Sequence, residues 1–178
     1  MKVGNVLGLA ALATVMASPA LAQVPVQDRG AYYTRWEGRW YEVARLPNWP
    51  QRHCERDVAA TLLRRTDGNI SIVTQCRGAE SLWNVQIGEG VFEEAPPPQT
   101  LGVRFTSLWY TAPAFSWGDY YALALDLDAR YAILGSIDRD NVWILSQTRT
   151  MDEAAYQRAV AQVAALGYDT AKLVRTSK

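Results

Sequence analysis

The chain has 178 residues, with 18 basic and 18 acidic side chains, one histidine and no net charge near neutrality. That balance, with no basic patch or charge run, argues against a nucleic-acid partner, and one histidine leaves little for a catalytic or metal centre. Seven Trp and nine Tyr against three Phe favour amphipathic aromatics, which suit walls that meet both an apolar ligand and water.

Residues 1–22 read as a signal peptide. Lys2 supplies the positive start, Val6 to Ala17 the apolar run, and Ala20-Leu21-Ala22 a small-residue cleavage site before Gln23. The run is too short to span a bilayer. Cleavage predicts a periplasmic or secreted protein, with lipid attachment not expected because the first cysteine, Cys54, lies far downstream. The 178 residues less the first 22 leave roughly 156, enough for one domain with its own core, placed at 28–176.

After a short 3₁₀ segment over Gln27 to Glu37, strand signals recur at close spacing, each bounded by turn residues. The first strand, opened by Gly38-Arg39-Trp40-Tyr41, covers Trp40 to Leu46 and stops at Pro47 and Pro50. The next run from Asp57 to Arg65 and, after Asp67-Gly68-Asn69, from Ile70 to Cys76. Leu82 to Phe92 and Leu101 to Thr106 flank a Pro96-Pro97-Pro98 break. Tyr120 to Leu125, Tyr131 to Ile137 and Val142 to Arg149 complete the set. Thr150 is predicted to cap a helix over Met151 to Leu166, whose Tyr156, Ala159, Val160, Val163 and Leu166 form an apolar stripe. Gly167 ends it, and Leu173-Val174 predict a short last strand.

Eight antiparallel strands with tight connections predict a closed up-and-down β-barrel with the helix packed outside, an all-β fold that leaves no unpaired edge. Such a barrel is just wide enough for one small ligand. Successive loops alternate between its ends. Residues 47–53, 77–81, 107–117 and 138–141 therefore share the open end, and the Asp67-Gly68, triple-proline and Asp126-Leu127-Asp128 turns share the closed one.

Two cysteines in an exported chain suggest a disulfide, and Cys54 and Cys76 both fall at the open end. Closing that loop would stabilise the fold by about 3 kcal/mol. A metal site of His53, Cys54 and Cys76 lacks a fourth ligand, so no metal is expected. His53 reads as an exposed loop histidine, and no catalytic residues are assigned. The mouth aromatics Trp49, Trp83, Trp109, Tyr110, Phe115 and Trp117, together with Tyr121, are the candidate ligand contacts, with Trp143 an alternative core residue. Arg52, Arg77, Tyr110 or Arg139 would hold an anionic head.

Gly38-Arg39-Trp40-Tyr41-Glu42-Val43-Ala44-Arg45 resembles the first block of the lipocalin family, in its bacterial outer-membrane and apolipoprotein D-like branch. Gly118 to Asp126, Asp138 to Ser146 and Gly167-Tyr168-Asp169-Thr170 resemble its later blocks, in the same order. The resemblance implies a structural role for Gly38 and Trp40, and binding of fatty acids or lysophospholipids for transport or storage in the cell envelope. It implies no cofactor, and it is compatible with transient membrane contact and with a homodimer. The alternatives are an enzyme on a lipocalin-like barrel and a protein-interaction module using the aromatic loop. Such relatives usually carry an Arg directly after the Leu-Ser of the last strand, packed over the first-block Trp; here that position is Gln147. Arg149, two residues on, would share its face and is predicted to stack on Trp40, worth roughly 0.5–2 kcal/mol.

Overall fold

The computed structural model describes residues 34–92, 100–105, 118–126, 128 and 130–178. Nine strands follow in order: β1 (Gly38–Arg45), β2 (Arg56–Arg64), β3 (Ile70–Arg77), β4 (Trp83–Phe92), β5 (Thr100–Phe105), β6 (Gly118–Asp126), β7 (Tyr131–Ser136), β8 (Val142–Ser146) and β9 (Val174–Arg175), with α1 (Glu153–Ala165) between the last two. Each of the first seven strands pairs antiparallel with its successor, and β8 pairs back onto β1. The sheet is therefore a closed eight-stranded barrel. The predicted 3₁₀ segment, the triple proline and residues 1–22 lie mainly or wholly outside the described residues.

The seam between β1 and β2 is closed in two parts. Gly38 to Tyr41 pair with β2 directly. Beyond them β9 takes over, with Ala44 opposite Arg175 and Arg45 opposite Val174. The tail then adds a Thr176 N–H to Val43 carbonyl bond and an Asp57 N–H to Ser177 carbonyl bond. Backbone groups that would otherwise form an open edge are thus satisfied. Gly38 starts β1 at φ +104°, a conformation that costs a residue with a Cβ dearly.

Alternation sorts the side chains into two apolar layers. Trp36, Trp40, Leu62, Ile70, Ile72, Val103, Ala122, Ala132 and Leu145 fill the lower barrel. Ala44, Leu46, Tyr131, Ile133, Val142 and Ile144 face outward and pack against Tyr156, Ala159 and Val163 of α1. A bulge between Glu42 and Ala44 makes β1 switch layers, so that Ala44 joins the helix side and Arg45 lies opposite Trp143.

Helix α1 starts two residues later than the sequence suggests. Asp152, not Thr150, is the N-cap, its side chain accepting from the Ala155 N–H at 2.8 Å. Thr148 instead donates its hydroxyl to the Thr150 carbonyl, which holds the preceding turn. The helix ends as expected at Gly167 (φ +88°). The Gly167 N–H donates to the Ala164 carbonyl and the Tyr168 N–H to the Val163 carbonyl, the double closure of a Schellman motif.

Strand β8 stops at Ser146, three residues before the predicted end, and this overturns the Arg149 expectation. The Thr148 N–H bonds to the Ser146 hydroxyl, turning the chain and ending the two-residue alternation that would have carried Arg149 onto the face of Trp40. Arg149 lies outside the barrel, 5.4 Å from the Tyr41 ring centroid and paired with Asp57 at 3.0 Å. Trp40 is covered by Trp36, whose ring centroid is 5.7 Å away.

Candidate functional site

The barrel encloses a cavity of about 190 Å³. By the same measure one buried water needs roughly 10–15 Å³, so the space is an order of magnitude larger than a hydration site. Its floor is Trp36, Trp40, Leu62, Ile72, Val103 and Leu145. Both tryptophans are almost fully buried, and the Trp40 Nε1–H donates to the Trp36 carbonyl at 2.8 Å, so the floor is fixed by a polar bond as well as by packing.

Toward the open end polar side chains join the lining, Asn48, Gln51, Thr74, Gln86, Tyr120 and Asn141, among apolar Pro50, Val58 and Leu134. Trp143 crosses this zone, edge-on to Tyr120 at 5.2 Å, and its Nε1–H donates to Gln51 Oε1 at 2.7 Å. Asn48 Nδ2 donates to the same oxygen at 2.8 Å. Gln51 in turn donates Nε2 to Glu42 Oε2 at 2.6 Å. Glu42 Oε1 accepts from Arg45 at 2.6 Å and from the Thr176 hydroxyl. A buried carboxylate is tolerated in such a wall because every partner is in place. Burial and the nearby negative charge of Asp138 both push the Tyr120 phenol above its ordinary value.

The rim of this wall is held by a Cys54–Cys76 disulfide, with Cα atoms 5.5 Å apart. It ties the β1–β2 loop, which carries Asn48 and Gln51, to the end of β3. Both sulfurs are thereby consumed, which removes the His53, Cys54 and Cys76 metal set from consideration. A smaller recess beside the bridge is lined by Trp49, Arg52, His53, Asn84 and Gln86. There the Arg52 guanidinium sits 3.8 Å from the Trp49 ring centroid.

Several sequence-predicted contacts fall elsewhere. Trp83 opens β4 on the outer face with Val85 and Ile87, about half exposed, and stacks under the Arg77 guanidinium at 4.4 Å. The polarity of this strand is inverted: Gln86 points into the cup while the apolar residues face out. Tyr121 alternates outward, and its neighbour Tyr120 is the one in the lining. Arg139 does not reach the mouth interior. Its Nε–H donates to the Leu166 carbonyl at 3.0 Å, placing a cation at the C-terminus of α1, where the helix dipole favours it. Position on an open-end turn decides the height of a residue but not which side of the wall it faces. Trp109, Tyr110, Phe115 and Trp117 lie outside the described residues.

Trp36, Glu42, Gln51, Gln86 and Tyr120 were not foreseen as part of the cup. Glu42 had a readable signal, since it lies two residues from Trp40 on the same strand face. Gln51 had none, because a loop residue has no periodicity to read.

An antiparallel barrel with an apolar floor and polar groups toward its mouth, arranged around an interior cavity, defines a binding cup for small molecules. The chain belongs to the lipocalin family, whose members bind small hydrophobic ligands: residues 33–178 match the model of the lipocalin-like domain. It is 30% identical over 177 residues to the outer membrane lipoprotein Blc of Escherichia coli K12, with 96% of each chain covered. To temperature-induced lipocalin-1 of Arabidopsis thaliana it is 33% identical over 157 residues, 83% of this chain and 80% of that one. Among solved structures, lobster apocrustacyanin A1 superposes with a TM-score of 0.64 over 85% of this chain and 82% of its own, at 16% identity, a likeness of fold.

Proposed function

We propose that this protein binds lipids with a single acyl chain, fatty acids or lysophospholipids, and carries or stores them in the bacterial cell envelope. The observation that carries the reading is the graded cup: tryptophan and aliphatic side chains at the bottom, hydrogen-bonding side chains interspersed with apolar ones at the top. A chain entering tail first would gain about 0.8 kcal/mol per buried methylene. Its head would meet groups able to replace lost water. The envelope location rests on the resemblance to Blc, an outer membrane lipoprotein by name, and on the signal-like residues 1–22. Binding rather than catalysis fits the Glu42 carboxylate, which is occupied by Arg45, Gln51 and Thr176.

Titration of the delipidated protein with a lysophospholipid, followed by tryptophan fluorescence, tests this. Saturable quenching or a blue shift, diminished in Trp143→Phe, is expected. No spectral response to a lysophospholipid or a long-chain fatty acid, in protein shown to be folded, would overturn the acyl-chain reading.

A further inference from the structure

The mouth of the cup has a definite charge character. Its polar lining residues Asn48, Gln51, Thr74, Gln86, Tyr120 and Asn141 are uncharged groups that both donate and accept hydrogen bonds. The one ionisable carboxyl in the described lining is Glu42. Arg45, which compensates it, is absent from that lining and is committed elsewhere, with Nη1 on Glu42 and Nη2 donating to the Cys54 carbonyl at 3.2 Å. The carboxylate, not the guanidinium, is therefore what an entering head group meets.

The surroundings point the same way. Asp138, at the β7–β8 turn, is close enough to Tyr120 to act on its phenol. Among the basic groups at the described open end, Arg139 lies on α1, Arg77 sits over Trp83 and is ion-paired with Asp57, and Arg56 donates to the Ser81 hydroxyl. Arg52 stacks on Trp49 in the adjoining recess, outside the lining of the cup itself. An anionic head among the described lining residues would lose its water and meet Glu42 with no cation beside it in that lining, a combination that disfavours binding. A hydroxyl-rich neutral head would lose water and find amide and phenol partners instead.

We propose, resting on the acyl-chain reading above, that the cup selects ligands whose head is uncharged and hydroxyl-bearing, of the glycerol monoester kind, over the ionised carboxylate of a free fatty acid. Glu42 is the residue that sets this preference, and Gln51 and Gln86 are among the groups that receive the head.

The test compares a monoacylglycerol with the fatty acid of the same chain length, titrated into the folded protein at a mildly alkaline pH where the acid is ionised. The monoester is expected to bind at least about tenfold more tightly. Equal affinities, or a tighter fatty acid, would overturn head-group selection while leaving the acyl-chain reading in place. Binding of neither would remove both. In Glu42→Gln, the amide oxygen can keep the bonds from Arg45 and Thr176, the bond from Gln51 Nε2 is lost, and Arg45 is left without a counter-charge. Fatty-acid affinity is then expected to rise about tenfold, with little change for the monoester. An unchanged ratio in folded Glu42→Gln would overturn the role given to Glu42. Should that variant fold poorly, Gln86→Leu supplies the second arm. It is expected to weaken the monoester about tenfold and the fatty acid less, and an undiminished monoester affinity would count against the proposal.

Discussion

Trp36 and Trp40 form one unit at the bottom of the barrel: the indole N–H of Trp40 donates to the backbone carbonyl of Trp36 at 2.8 Å, and the two rings lie 5.7 Å apart. The chain entering the barrel is thereby latched to the first strand. Trp36→Ala would leave a large void under Trp40 and is expected to cost about 3–5 kcal/mol, read as a lowered urea midpoint. Trp40→Phe keeps most of the ring volume but removes the donor. It should cost about 1–3 kcal/mol from the abandoned carbonyl, with some further loss of packing.

The Cys54–Cys76 bridge spans a sequence separation of 22, and it anchors the end of the β1–β2 loop, which carries Asn48 and Gln51 into the wall of the cup. Replacing both cysteines with alanine is expected to lower stability by about 3 kcal/mol, seen as a lower melting temperature that reductant no longer shifts. The oxidised wild type should show the same loss when reductant is added.

Arg139 gives a prediction that separates the structure from a reading of loop position alone. Its bond to the Leu166 carbonyl serves the helix end, not the ligand. Arg139→Gln should cost about 0.3–1 kcal/mol in chemical denaturation and leave the affinity for an acyl ligand unchanged. A large loss of affinity in the folded variant would show that the side chain reaches the cup when ligand is bound.

Tyr120, Tyr131 and Tyr168 all have phenols raised above the ordinary value of 10.0, burial being the first cause in each case. The native state therefore keeps protons that the unfolded chain releases. This contribution is fully present below that value and is lost as the pH climbs through the raised native values. Urea midpoints measured across the alkaline range should fall steadily above a pH of about 10, with ultraviolet titration of the phenolates lagging in the folded protein. Tyr168→Phe also removes the hydroxyl bond to the Ser136 carbonyl, so it should reduce the alkaline slope and cost about 1 kcal/mol at neutral pH.

Much of this protein was determined by sequence alone, and the reason is periodicity. Residues that alternate along a strand, or recur every third or fourth position along a helix, declare which elements form. The order of the turns between them then fixes which loops share an end. Eight strands, an outer helix stopped at Gly167 and two cysteines at one rim all follow from that local pattern. Three decisions belonged to the tertiary structure. The bulge after Glu42 moved Ala44 and Arg45 to new sides of the wall, a register choice made against β8 rather than within β1. In β4 the polar face turned inward and Trp83 outward, because the mouth of a cup is wet and reverses the usual rule that apolar side chains face in. And Gln51, ninety-two residues from Trp143, joins the lining only because the closed barrel brings β8 beside the β1–β2 loop. Hydrogen bonds across such distances leave no trace in local sequence, since neither partner's neighbours differ from those of an ordinary loop or strand.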